Sequence, residues 1–282
     1  MTLKIVTDST CDLPPSVIAE WDITVVPVYV NVGAASYLDG QELARKTFYD
    51  NLYTYDTYPT TAAPAAGAFT AVYEQLTAAG ATAILSIHLA ASLSNTFNAA
   101  RLGAEAANSA PVTLFDARQI TVGTGALVLL AARAAADGRS LPEIVALLEA
   151  SVPHTYVFGM IDTLESLRRS GRVNWATFGI GSLLQIKPVM MIHQGEISVV
   201  ARVRTRKRAL PHVVSLMSSL HPFTQLYVIH VHAPEGAREL ADMAADLFPS
   251  GPVPPPIEIG PAIATHLGLG AVGFACIAQA KR

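Results

Sequence analysis

The chain has 282 residues, 51% of them hydrophobic and only 15% charged, with a formal net charge of −3. That balance excludes a broad basic surface for nucleic acid, and two cysteines are too few for a disulfide framework. No charge-free apolar run reaches the about 18 residues of a transmembrane helix.

The first residues enter a strand at once, without a basic n-region or a cleavage site, so a cytoplasmic location is expected. The length suits two domains of about 100–200 residues each. Apolar excess without a membrane span points to a large core, an oligomer interface or an internal apolar cavity.

In chain order, residues 3–6 read as a strand running into the polar turn Thr7-Asp8-Ser9-Thr10-Cys11-Asp12, with Pro14 and Pro15 opening a helix. Residues 23–32 read as a second strand with a break at Pro27. Tyr37-Leu38-Asp39-Gly40 is turn chemistry, residues 47–52 are helical, and residues 55–64 form a loop without periodicity. Helices over 68–78 and 96–108 flank a strand at 83–88. Another strand at 112–115 leads, past Asp116, into an Ala-rich helix over 122–137. Short apolar strands alternating with helices predict a parallel α/β sheet covered on both faces.

The second half changes character. Residues 156–161 are a strand and 163–169 a helix start. Residues 187–192 and 197–203 form a hairpin around His193-Gln194-Gly195-Glu196. Helices follow at 207–220 and 234–247, with strands at 226–231 and 272–278 and a Pro-rich connector before Ile257. The reading is an α/β chain with an N-terminal parallel domain over 1–155 and a mainly antiparallel α/β domain over 156–282.

The stretch Ile84 to Ala100 carries the strongest local chemistry. It opens as a strand, closes as a helix, and places Ser92-Leu93-Ser94-Asn95-Thr96 between them. Free N–H groups and hydroxyls at a helix start can seat a carboxylate or phosphate; the same residues also serve as ordinary caps. Gly268-Leu269-Gly270-Ala271-Val272-Gly273 matches a dinucleotide fingerprint, but a strand follows it instead of a helix, so no dinucleotide site is read there. His230 and His232 share a strand face without a third ligand, so no metal site is read.

The basic run Arg202 to Arg208 reads as a solvated strand end, with Arg202 and Arg204 on one face that can line a docking surface. Arg168, Arg169 and Arg172 gather around a Gly turn, suited either to gripping a carboxylate or phosphate or to interdomain ion pairs. A nucleophile elbow is absent. A triad of Ser94 and His266 with Asp8 or Asp116 stays open, because triads are geometric.

Taken together, several segments resemble the DegV family of bacterial fatty-acid-binding proteins. They are Thr7-Asp8-Ser9, Asp39-Gly40, Pro59-Thr60-Thr61 with Pro64, Leu93-Ser94-Asn95-Thr96, Asp116, Leu167-Arg168-Arg169-Ser170-Gly171-Arg172, Lys187-Pro188, and Gly260 through His266 to Gly270. They span essentially the whole chain in the family's order. The resemblance implies a two-domain DegV-like α/β fold with a long-chain fatty acid in an apolar tunnel between the domains. It implies that Thr61, Ser94 and His266 hold the carboxylate, with Asn95 beside them. Asp39 and Arg172 fall where the characterised branch has residues near the head group or the kinase contact.

In that branch the protein is a carrier and not an enzyme. It presents the acid to a separate fatty acid kinase, which makes the acyl phosphate for phospholipid synthesis. No cofactor of its own is implied, since ATP and Mg belong to the kinase, and neither nucleic acid nor stable membrane insertion is expected. The rival reading is a lipid or ester hydrolase using Ser94 and His266. The chain departs from the family pattern at Ala62, Ala63, Asn95, Asn98, Ala117, Leu267 and Leu269. These departures predict fewer direct head-group hydrogen bonds.

Overall fold

The alternation of short apolar strands with helices builds a four-stranded parallel sheet. In the computed structural model, which describes residues 2–171 and 186–280, this sheet has the order β2-β1-β6-β7. Its strands are β1 (Leu3–Asp8), β2 (Ile23–Val26), β6 (Ala83–His88) and β7 (Val112–Asp116). Every residue of β6 is buried, as expected for a central parallel strand with helices on both faces. The chain leaves β1 toward β2 on one side and later returns to the other side as β6. That reversal creates a switch point at the carboxyl ends of β1 and β6, where open α/β sheets bind ligands.

The strand read over 23–32 divides at the break expected there. Pro27 interrupts it, and β3 (Tyr29–Val32) joins a separate antiparallel sheet with β4 (Ala35–Leu38) and β5 (Thr60–Ala62). β5 lies inside the segment read as a loop. Three residues are too few to show a period, and Thr60 and Thr61 are held by pairing with Asn31 and Val30. Helix α2 (Arg45–Asn51) connects these strands, and α3 (Ala66–Ala78) and α4 (Thr96–Ala106) flank β6 in sequence.

Helix α5 (Thr121–Ala136) is buried almost throughout, the signature of a helix apolar on all sides. Its Ala126, Leu127 and Val128 share one core with Ile5 and Leu85 of the parallel sheet and Ile277 of the other sheet. Helix α6 (Leu141–Ser151) was not foreseen, although Ser140 and Glu143 form a complete capping box at its start. The six-stranded sheet has the order β10-β9-β8-β13-β11-β12. It comprises β8 (Thr155–Met160), β9 (Lys187–His193), β10 (Glu196–Val203), β11 (Phe223–His230), β12 (Ile257–Glu258) and β13 (Val272–Ala278). Only the β11–β12 pair is parallel.

Helices α1 (Pro15–Glu20), α7 (Glu165–Ser170), α8 (Arg206–Ser218), α9 (Pro234–Met243) and α10 (Pro261–Leu267) complete the described α-helices. The β9–β10 turn packs onto the ends of the parallel sheet: the Gly195 N–H donates to the Arg118 carbonyl at 2.7 Å, and Ser92 Oγ donates to the Gly195 carbonyl at 2.6 Å. Among the described residues no helix is long and apolar enough to cross a membrane.

Candidate functional site

A cavity of about 230 Å³ lies at the switch point, a little below the about 300–1,000 Å³ usual for small-molecule sites. The loops leaving β1, β6 and β7 supply Thr10, Leu89, Leu93, Ser94, Asn95 and Ile120; Met190 and Ile192 come from β9, and His266 from α10. Thr61 enters from β5. Most of the wall is aliphatic, and the polar groups are few. Leu93, Ser94 and Asn95 also border a surface groove over residues 91–98. Ile120, Met190, Ile192 and Leu267 are shared instead with a smaller, almost wholly apolar cavity deeper in the protein. Ser94 and Asn95 thus lie toward the surface, and the side toward the smaller cavity is apolar.

Thr61 Oγ1 lies 2.9 Å from His266 Nε2. With Nε2 protonated, the ring donates to Thr61 and the Thr61 hydroxyl proton is left to point at a ligand. Ser94 Oγ accepts the Thr96 N–H at 3.2 Å and lies 2.9 Å from Thr96 Oγ1. Ser94 thus caps α4, whereas Asn95, which sits at the N-cap position, makes no capping bond with its side chain. Asn95 is exposed at the rim.

His266 ends a short helix whose start is tightly anchored. Asp12 accepts the Gly260 N–H at 2.7 Å and the Thr121 hydroxyl at 2.7 Å. Asp39 accepts the Ala262 N–H at 3.3 Å, the Tyr49 hydroxyl donates to the Ile259 carbonyl, and Arg45 donates to the Glu258 carbonyl at 2.7 Å. Tyr58 donates to the Thr265 carbonyl at 2.8 Å from the other end. The helix stops at Gly268, whose φ of +77° favours glycine. Asp39 is only 4% exposed and supports the start of α10. Burial pushes its carboxyl up from the usual range, and the Ser9 hydroxyl holds it back. Arg172 lies outside the described residues. Arg168 and Arg169 both pair with Glu165, and Arg169 sits 4.9 Å over the Tyr58 ring.

Burial also raises the Asp12 carboxyl, from 3.8 to about 7, against the Thr121 hydrogen bond and the Arg45 charge. A carboxyl raised in the folded state contributes stability that is full below pH of about 4 and lost as pH climbs through about 7. Asp12→Asn, which also tolerates the left-handed φ of +52° there, should abolish that window. Urea unfolding of both proteins between these limits should show the wild-type advantage shrinking with pH; parallel profiles would refute it.

The carboxylates once open to a triad are engaged elsewhere. Asp116 accepts the N–H groups of Ala91 and Arg118. Asp8 Oδ2 lies 2.9 Å from His88 Nδ1, His88 Nε2 lies 2.8 Å from Ser86 Oγ, and Ser86 Oγ lies 2.8 Å from the Tyr73 hydroxyl. This Asp–His–Ser chain is fully buried, so its serine cannot meet a substrate from solution. Sequence reading missed it, along with Thr10, whose hydroxyl donates to Asp8. The available signal was the polar run directly after β1. His230 and His232 do not pair as ligands: His232, at φ +47°, breaks the strand alternation. Among the described residues no group of three potential ligands can hold a metal.

Comparison with known proteins gives consistent matches. The family model described as "Uncharacterised protein, DegV family" matches residues 2–279. A DegV domain-containing protein of Listeria innocua is 32% identical over 280 residues, covering 96% of this chain and 97% of its own. The solved structure of a Thermus thermophilus DegV family protein, described by its fatty acid binding, superposes with a TM-score of 0.90 at 29% identity, covering 99% of this chain and all of the other. DegV of Bacillus subtilis, a fatty acid binding protein, gives 0.89 at 30% identity over 99% of this chain and 100% of its own.

Proposed function

Because the chain belongs to the DegV family, we propose that it binds a long-chain fatty acid with the tail in the apolar cavity and the carboxylate at Thr61, Ser94 and His266. The observation that carries this reading is one cavity whose mostly aliphatic wall carries Thr61, Ser94 and His266 and continues, through Ile120, Met190, Ile192 and Leu267, into a smaller apolar cavity. Each buried methylene contributes about 0.8 kcal/mol, so the tail supplies affinity. A poorly solvated carboxylate needs donors, and the hydroxyls and the first turn of α4 provide them. The protein acts as a carrier that presents the head group to a separate ATP-dependent fatty acid kinase. Asn95, exposed at the rim, lies beside that head group.

Native mass spectrometry, repeated after solvent extraction, tests the ligand. One fatty acid per chain, released on denaturation, is the expected result. An empty protein that also fails to take up palmitate and oleate would sink the reading.

His266→Ala separates holding from presenting. Loss of one hydrogen bond to a charged group costs about 1.5–3 kcal/mol, so affinity should fall about 10- to 100-fold while the tail stays bound. Acyl-phosphate formation with added kinase should fall further. Equal affinity and equal product in the variant would remove His266 from both roles.

A further inference from the structure

The inner cavity lies beside the main one and is almost wholly apolar. It holds about 30 Å³, and Ile120, Met190, Ile192 and Leu267 line both it and the main cavity. Its floor is the middle of the six-stranded sheet. Along β8, Val157 belongs to the core beneath the main cavity and Phe158 to the core on the opposite side. Side chains alternate along a strand, so position 159 faces the cavity. The residue there is Gly159, and it lines the inner cavity.

Pairing across the sheet places Met190, Gly159, Gly273 and Ile229 side by side in one row. Directly paired residues point to the same face, so two adjacent glycines leave a trough between Met190 and Ile229.

The two glycines differ in cause. A Cβ on Gly273 would come within 1.9 Å of the Phe158 carbonyl oxygen, so the backbone itself demands glycine there. Gly159 has no such demand. A Cβ built on it meets only the Val272 carbonyl oxygen, at an ordinary 3.5 Å, and its φ is not in the left-handed region. It is half-buried even though strands flank it on both sides, because the space above it is open. Glycine inside a strand costs stability relative to alanine and often marks the close approach of a ligand. The missing side chain is thus explained by the trough and not by the fold.

We propose that Gly159 sets the acyl-chain length: the terminal carbons of the bound chain pass Met190 and lie in the trough over Gly159 and Gly273. This inference rests on the fatty-acid reading above. Met190 suits the passage, since its unbranched, flexible side chain yields to a chain sliding past it.

The experiment compares wild type, Gly159→Ala, Gly159→Val and Met190→Ala, all purified from one host. Bound acids are extracted and identified, and affinities for myristate and stearate are measured by displacement. A valine side chain should displace about two methylenes. The stearate-to-myristate affinity ratio should then fall about 10- to 20-fold in Gly159→Val, with a smaller fall in Gly159→Ala. Met190→Ala should move the ratio the other way.

If Gly159→Val fails to fold, Gly159→Ala carries the test, because its single methyl fits without contact closer than van der Waals. Unchanged ratios in glycine variants that still hold one acid per chain would overturn the role of Gly159 and leave fatty-acid binding standing. A wild-type protein that holds no acid and takes up neither probe would overturn both.

Discussion

Asp8→Leu should cost about 3–5 kcal/mol of folding stability, the usual penalty for removing one partner of a buried polar pair. Asp8 is fully buried. It lies against His88 Nδ1 and accepts the Thr10 hydroxyl and the N–H groups of Thr10 and Leu89. Leucine fills a similar volume but leaves those donors without water or partner, and each orphaned group carries a desolvation penalty. The damage extends beyond Asp8, because Ser86 and Tyr73 are linked through His88. Chains of this kind act as a unit. Thr10 and Leu89 also line the main cavity, so ligand affinity should fall with stability. Asp8→Asn, which keeps one acceptor oxygen, should lose roughly half as much. Urea unfolding of the three proteins decides the matter. A loss below about 1 kcal/mol in Asp8→Leu would mean the buried chain is dispensable.

If the chain carries a fatty acid as proposed, stripping it should lower the thermal midpoint by about 8–16 °C. A ligand present at about 1,000 times its Kd stabilises the native state by about 4 kcal/mol, and each kcal/mol shifts the midpoint of a chain this large by about 2–4 °C. Re-addition of palmitate should restore the lost degrees. Hexadecanol should fill the same apolar space but lacks the charge proposed to sit at Thr61, Ser94 and the start of α4, so it should restore only part. Full recovery with the alcohol would show that the polar side of the cavity contributes nothing to affinity. No recovery with either would show that the cavity is not where the acid sits.

Much of the fold was legible because it is written in local pattern. Buried parallel strands read as apolar runs, as in residues 83–88, and α5 reads as a helix apolar on every side. The hairpin around Gly195 was readable from its turn. The sequence also determined the chemistry available: hydroxyls at Thr61 and Ser94, an imidazole at His266, and aliphatic residues in excess of what a polar-surfaced protein needs.

What local pattern could not carry was anything stabilised from a distance. β5 exists because Thr61 pairs with Val30, and three residues show no period. Helix α10 is seven residues long, too short to be stable alone; contacts with Asp12, Asp39, Tyr49, Arg45 and Tyr58 anchor it from segments more than 200 positions away.

Tertiary structure alone decided that Thr61 and His266 meet, that Asp39 is a buried support of α10, and that Asp8 belongs to His88. The cavity is likewise a tertiary property. Its wall is assembled from loops, strands and a helix scattered along the chain, and its depth depends on the side chain that Gly159 lacks. Sequence names the groups that can interact; only packing sets which donors and acceptors lie within reach, because hydrogen bonding and close packing both fail over distances of about an ångström.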